Sequence, residues 1–102
     1  MKLYPEKVLM SPQRKPLMDG NTQVTVRALI AQLLDVNEGK PLSGEAKMER
    51  FKLQQRLYEP DSETGGLELS AAEVALLMQV LDKSTVVTPN IYGQIVEMLE
   101  QK

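Results

Sequence analysis

Apolar residues recur at helical spacing through four separate blocks of the chain. In the first, Val26, Leu29, Ile30, Leu33 and Leu34 form one stripe, and Thr25 stands at the N-cap position. The pattern predicts a helix from about Thr25 or Val26 that stops at Asn37 to Gly39, with Pro41 preventing its resumption. A second helix is expected from about Gly44 to Tyr58, capped by Ser43 and stopped by Pro60. Ala46, Leu53 and Leu57 share one stripe of it, and Phe51 and Tyr58 form another about a third of a turn away. Glu49, Lys52, Arg56 and Glu59 take the opposite arc.

The third block has the most specific local signal. Ser70 and Glu73 have the spacing of a capping box, and Leu69 and Val74 that of a hydrophobic staple. A helix therefore starts at Ala71. Val74, Leu77, Met78 and Leu81 line one face, and Ala75, Leu76 and Val80 cover much of the rest. A helix apolar nearly all round is expected at the centre of the fold. The fourth helix starts with Thr88 as cap and Pro89 at the first position, and buries Ile91, Tyr92, Ile95, Val96, Met98 and Leu99.

Residues 1–25 break with this period. Pro5, Pro12 and Pro16 favour extended backbone. Asp19-Gly20-Asn21 tolerates positive φ and predicts a small β-hairpin from Leu17 to Val24. Met10, Met18 and Tyr4 lie in this part, where surface exposure competes with packing. Thr85 to Val87 is extended by preference and is available to pair with Leu67 to Leu69. The expected fold is mainly α: four short helices with an N-terminal β-hairpin, and residues 67–69 and 85–87 as an optional two-stranded link. Residues 1–16 form a Pro-rich extended segment ahead of a single helical domain over 17–102. The core should hold Leu29, Ile30, Leu33, Phe51, Leu57, Leu69, Val74, Leu77, Met78, Leu81, Ile95 and Leu99.

Composition narrows the chemistry. The 102 residues include no His, no Cys and no Trp, which removes triads, thiol nucleophiles and His- or Cys-ligated metals. No enzymatic activity and no cofactor or metal is expected. No apolar run approaches a membrane span, so a cytoplasmic protein is expected. The net charge of −2 conceals an asymmetry. Residues 1–59 hold ten Lys/Arg against seven Asp/Glu; residues 60–102 hold two against seven.

Three chemical readings fare poorly. The stretch from Asp61 to Ala72 has the outline of a calcium loop, with Glu63 at position 3 and Gly66 at position 6. Position 5 is Gly65 and position 12 is Ala72, so two ligands are missing, and Glu73 falls one residue late. Gly65-Gly66 is not followed by Lys-Ser/Thr, so it is no phosphate loop. The most basic helix interleaves Glu45, Glu49 and Glu59 with its cations, which disfavours nucleic acid.

The order of these signals carries a resemblance. Asp19-Gly20, Val26-Arg-Ala-Leu-Ile30, the charged helix from Lys47 to Tyr58, Leu67-Glu-Leu-Ser-Ala-Ala-Glu-Val-Ala-Leu76 and Ile91-Tyr-Gly-Gln-Ile-Val-Glu-Met-Leu-Glu100 together resemble a widespread set of short proteins of tailed phages and prophages. The likeness covers residues 17–100. It implies a setting, the host bacterial cytoplasm, and no active site.

The reading that follows is a non-enzymatic accessory protein that binds a host protein stoichiometrically, as inhibitor or adaptor. Its alternatives are a phage assembly or structural component, working through phage proteins or as a homo-oligomer, and a nucleic-acid-binding regulator. Arg14, Lys15, Lys52 and Arg56 are the candidate partner-binding residues, because they are the main cations on polar faces without another evident task.

Overall fold

A computed structural model describes residues 1–36, 41–59, 66–84 and 87–100. The expected helix stop at Asn37 to Gly39, the loop containing Asp61 and Glu63, and the segment Thr85-Val86 lie outside the described residues.

Four helices form where the stripes predict them. They are α1 (Val26–Asp35), α2 (Gly44–Leu57), α3 (Ala71–Lys83) and α4 (Pro89–Glu100). Side-chain caps hold each N-terminus by satisfying an otherwise orphaned amide. The Thr25 and Ser43 hydroxyls accept from the amides of Ala28 and Ala46. Thr88 Oγ1 accepts from the Ile91 amide. At α3 the capping box is complete, with Ser70 Oγ accepting from the Glu73 amide and Glu73 Oε1 accepting from the Ser70 amide.

Short strands complete a mainly α fold. β1 (Lys2–Leu3), β2 (Met18–Asp19), β3 (Thr22–Gln23) and β4 (Leu67–Glu68) make two antiparallel pairs. The expected hairpin is present, with Met18 opposite Gln23 and Asp19 opposite Thr22. Gly20 supplies its turn at φ +62°, a conformation that glycine reaches without penalty.

The second pairing joins β4 to β1, Lys2 opposite Glu68 and Leu3 opposite Leu67. The link expected between residues 67–69 and 85–87 falls on Thr85 and Val86, outside the described residues. The Leu69 amide continues the ladder to the Met1 carbonyl at 2.9 Å. This register favours the core. Leu3 becomes fully buried, and Tyr4 lies close enough to donate its amide to Met98 Sδ on α4 at 3.1 Å.

Residues 1–16 alternate short extended stretches with turns near Pro5 and Pro12, and part of them is built into the same interior as the helices. Leu3, Pro5 and Leu9 are buried. The Leu9 amide donates to Val24, and the Leu17 amide donates to Leu9. Two side chains of α4 then grip Met10. Gln94 Oε1 accepts from its amide, while Asn90 Nδ2 and Gln94 Nε2 both donate to its carbonyl at 2.7 Å.

The core runs through Leu3, Leu9, Val26, Ile30, Leu33, Leu34, Leu53, Leu57, Leu69, Leu77, Val80, Leu81, Ile95, Met98 and Leu99. Each buried aliphatic side chain contributes about 1.5–3 kcal/mol of transfer free energy. Three expected core residues, Leu29, Val74 and Met78, are half-buried against this cluster.

Phe51 is a correction, being 48% exposed. It lies two residues, or about 200°, from Leu53, so the two cannot face inward together. Leu53 and Leu57 take the inner face of α2, which leaves Phe51 and Tyr58 outside. Met18 and Met10 also stay largely outside, and Tyr4 is half-buried.

The position of α3 is the other correction. The central helix is α1, which packs on both α2 and α3. α3 buries Leu77, Val80 and Leu81, while Ala71, Ala72 and Ala75 are exposed and Leu76 is half-buried.

Candidate functional site

Glu49, Lys52 and Arg56, expected on the arc opposite Leu53, instead share one flank of α2 with it, because i, i+3, i+4 and i+7 fall on the same side of a helix. The α3 sequence places Ala72, Glu73 and Leu76 on the flank opposite. Between them runs an open groove of about 420 Å³ lined by these seven residues. Its floor is apolar, formed by Leu53, Leu76 and the small Ala72. A second open hollow, of about 380 Å³, lies on the other side of α3 between Met1, Leu69, Ala71, Val74 and Ala75. Of the exposed alanines of α3, Ala72 lines the first depression and Ala71 and Ala75 line the second.

Arg56 closes one end of the groove. Its Nε donates to Glu73 Oε2 at 3.0 Å and its Nη1 to Glu59 Oε2 at 3.2 Å. Its Nη2 donates to the Glu68 carbonyl of β4 and makes a longer contact with Glu73 Oε1. One guanidinium thus ties the end of α2, the β4 strand and the start of α3 together. The Glu73 hydrogen bond, against some desolvation, holds the guanidinium above its ordinary pKa. For Glu73 itself, burial pushes the carboxyl up. The Ser70 amide and Arg56 outweigh that and leave it below its ordinary value.

These contacts change the standing of the four candidate cations. Arg56 has an intramolecular task, so its face is not an unexplained one. Lys52 is exposed on the groove wall and, like Glu49, forms no ion pair among the described residues. Arg14 and Lys15 do not line this groove. They sit in an exposed turn where the Arg14 amide donates to Ser11 and the Ser11 amide to Lys15. Arg14 adopts φ 63° there, which is uncommon for a side chain with a Cβ.

Two other cations of the basic half are also engaged. Arg27 Nε donates to the Leu57 carbonyl at 2.6 Å, and its guanidinium stands 5.3 Å over the Tyr58 ring. Arg50 Nη1 donates to the Leu34 and Val36 carbonyls at the end of α1. That helix has no basic residue in its own last turn, so α2 supplies the cation its C-terminus favours.

The groove floor was not singled out by its sequence. The usable signal was the pair Ala71-Ala72 with Ala75, small residues at helical spacing in a helix that was otherwise apolar. Among the described residues, no cluster of three or more acidic side chains stands where it could hold a metal ion. No helix among them is long and apolar enough to cross a membrane. No family model, curated protein or solved structure matches the chain.

Proposed function

We propose that this chain is a non-enzymatic binding protein of a tailed phage or prophage, which docks stoichiometrically on a host protein and inhibits or redirects it. The observation that carries the reading is the open apolar groove between α2 and α3. Apolar surface of this kind, rimmed by charges, is what protein-binding sites are made of. The absence of His and Cys from the sequence supports binding over chemistry. The setting comes from the resemblance of residues 17–100 to short phage proteins. Lys52 is the candidate cation with most to offer a partner, since it stands on the groove wall without an ion pair.

The test is capture from bacterial lysate by the tagged chain, run beside Ala72→Arg. Ala72 is exposed, so the substitution should leave the helical content unchanged by circular dichroism. One host protein recovered at near-equal stoichiometry, and lost with Ala72→Arg, is the expected result. Recovery of the bait alone, or capture indifferent to Ala72→Arg, overturns the reading.

A further inference from the structure

We infer that the β2–β3 turn holds a site of spontaneous covalent modification: the Asp19–Gly20 linkage rearranges in water to isoaspartate, and the rearranged hairpin loses its pairing. This goes beyond the binding reading and stands independently of it.

The chemistry needs only these two residues and water. The Gly20 nitrogen attacks Cγ of the protonated Asp19 carboxyl. A C–N bond forms, the Cγ–OH bond breaks, and the hydroxyl leaves with the amide proton as one water. The five-membered imide that results then takes water back. Addition at Cγ restores aspartate. Addition at the main-chain carbonyl carbon of Asp19 cleaves its bond to the Gly20 nitrogen, so the chain now runs through Cβ and Cγ. That product is isoaspartate, equal in composition to the starting chain.

Sequence and structure both single out this step. Glycine lacks the Cβ that would crowd the attacking nitrogen, and residues 19–20 are the only Asp-Gly or Asn-Gly pair in the sequence. A Cβ built on Gly20 would meet nothing within 4 Å, so the space around that nitrogen is open. The ladder ends at the Asp19–Thr22 pair, and the Gly20 amide has no acceptor among the described residues. The Asp19 carboxylate forms no ion pair among them either. Ring closure requires Asp19 to leave its extended conformation. β2 and β3 are two residues each and exposed throughout, and pairs that short open readily.

The other aspartates of the described residues are held. The amide after Asp35 belongs to Val36 and donates to the Leu33 carbonyl at 3.2 Å, while the Asp35 carboxylate accepts from Gln54 Nε2 at 2.7 Å. The Lys83 amide, after Asp82, lies inside α3 and is engaged by its helical hydrogen bonds. Asp61, outside the described residues, precedes Ser62, and Asn21, Asn37 and Asn90 precede Thr22, Glu38 and Ile91, all of which carry a Cβ.

Isoaspartate inserts one methylene into the main chain. A two-residue turn fixes the register of the strands it joins, so the added atom takes Asp19 out of line with Thr22. The loss reaches inward through Val24. Its amide donates to the Leu17 carbonyl and its carbonyl accepts from the amide of buried Leu9, both at 2.8 Å.

The test is to age the full chain in warm, mildly acidic buffer beside Asp19→Glu and Asp19→Asn. Peptide maps read by electron-transfer fragmentation tell isoaspartate from aspartate at equal mass. Expected is isoaspartate at position 19 before any other, preceded by a species lighter by one water. Asp19→Glu should abolish it, since glutamate would have to close a six-membered ring. Asp19→Asn should reach the same imide faster, releasing ammonia in place of water. In the isomerised fraction the cross-strand contact of Met18 with Gln23 should be lost from nuclear Overhauser spectra, with helical circular dichroism retained. Isoaspartate appearing first at 35, 61 or 82, or none at 19 in the aged native chain, overturns the inference. So does an isomerised fraction that keeps the Met18–Gln23 contact.

Discussion

Arg56 Nε lies 3.0 Å from Glu73 Oε2, and the same carboxylate, through Oε1, accepts the Ser70 amide at the start of α3. An ion pair between two helices and the cap of one of them therefore share a single side chain. Arg56→Ala should cost about 1 kcal/mol, below the usual range for hydrogen bonds to charged groups because the pair is partly exposed. For a domain of this size that is a fall of about 4–8 °C in melting temperature. Arg56→Lys should recover little of it, since an ammonium cannot span the three acceptors that the guanidinium fork reaches. Thermal melts of the three proteins check both statements. A double cycle with Glu73→Gln should give non-additive losses, because Arg56 acts on that carboxylate.

Acid should loosen the same corner. Burial opposes ionisation of Glu73, but the Ser70 amide and Arg56 prevail and its folded pKa lies below the ordinary value of 4.5. A depressed carboxylate contributes stability above its unfolded pKa and loses it as pH falls through the folded one. Stability should be level at neutral pH and should fall from about 4.5 downward. Glu73→Gln should lower stability at neutral pH and make the acid limb shallower. Denaturant midpoints measured from pH 7 to pH 3 decide it.

The first strand and the exposed aromatic ring should respond to very different degrees. Leu3 is fully buried, so Leu3→Ala should cost about 2–5 kcal/mol. Phe51 is 48% exposed, and Phe51→Ser should cost less than about 1 kcal/mol. Urea unfolding of the two variants at equal protein concentration checks the contrast.

Gly66 is buried immediately before β4, and a Cβ built on it would meet Tyr4 Cε1 at 3.0 Å. The Tyr4 ring would have to shift by a few tenths of an ångström to admit it. Gly66→Ala should destabilise by about 1–2 kcal/mol through this overpacking. Tyr4→Ala in the same background should remove the clash, so the double variant should be more stable than the sum of the single losses. Melts of the four proteins in the cycle measure that coupling.

The helices were legible because their signals are local. Ser70 with Glu73, Ser43, Thr25 and Pro89 mark starts that depend on a few adjacent residues, and the structure uses every one of them. What the sequence hid was pairing at a distance. Nothing in Lys2-Leu3 or Leu67-Glu68 names the other, since two-residue strands carry no register pattern of their own. The place of α3 was hidden for a related reason. Periodicity says how apolar a helix is all round, but not which neighbours arrive to cover it, and Ala72 and Ala75 stay exposed while Leu76 is only half-buried. The groove followed from that gap. Of the four cations picked from sequence, Arg56 turned out to be a tie between elements because its acceptors, Glu73 and the Glu68 carbonyl, come from segments that helical spacing does not relate to it.

The pairing of Lys2-Leu3 with Leu67-Glu68 also orders events during synthesis. The two strands stand more than sixty residues apart in sequence, so the first is synthesised well before its partner, and domains gain their packing only as such distant contacts close. Until then Leu3 lacks the strand it pairs with. Closing that pair is the long-range step of the fold, whereas the helices and the β2–β3 hairpin rest on contacts between near neighbours in sequence.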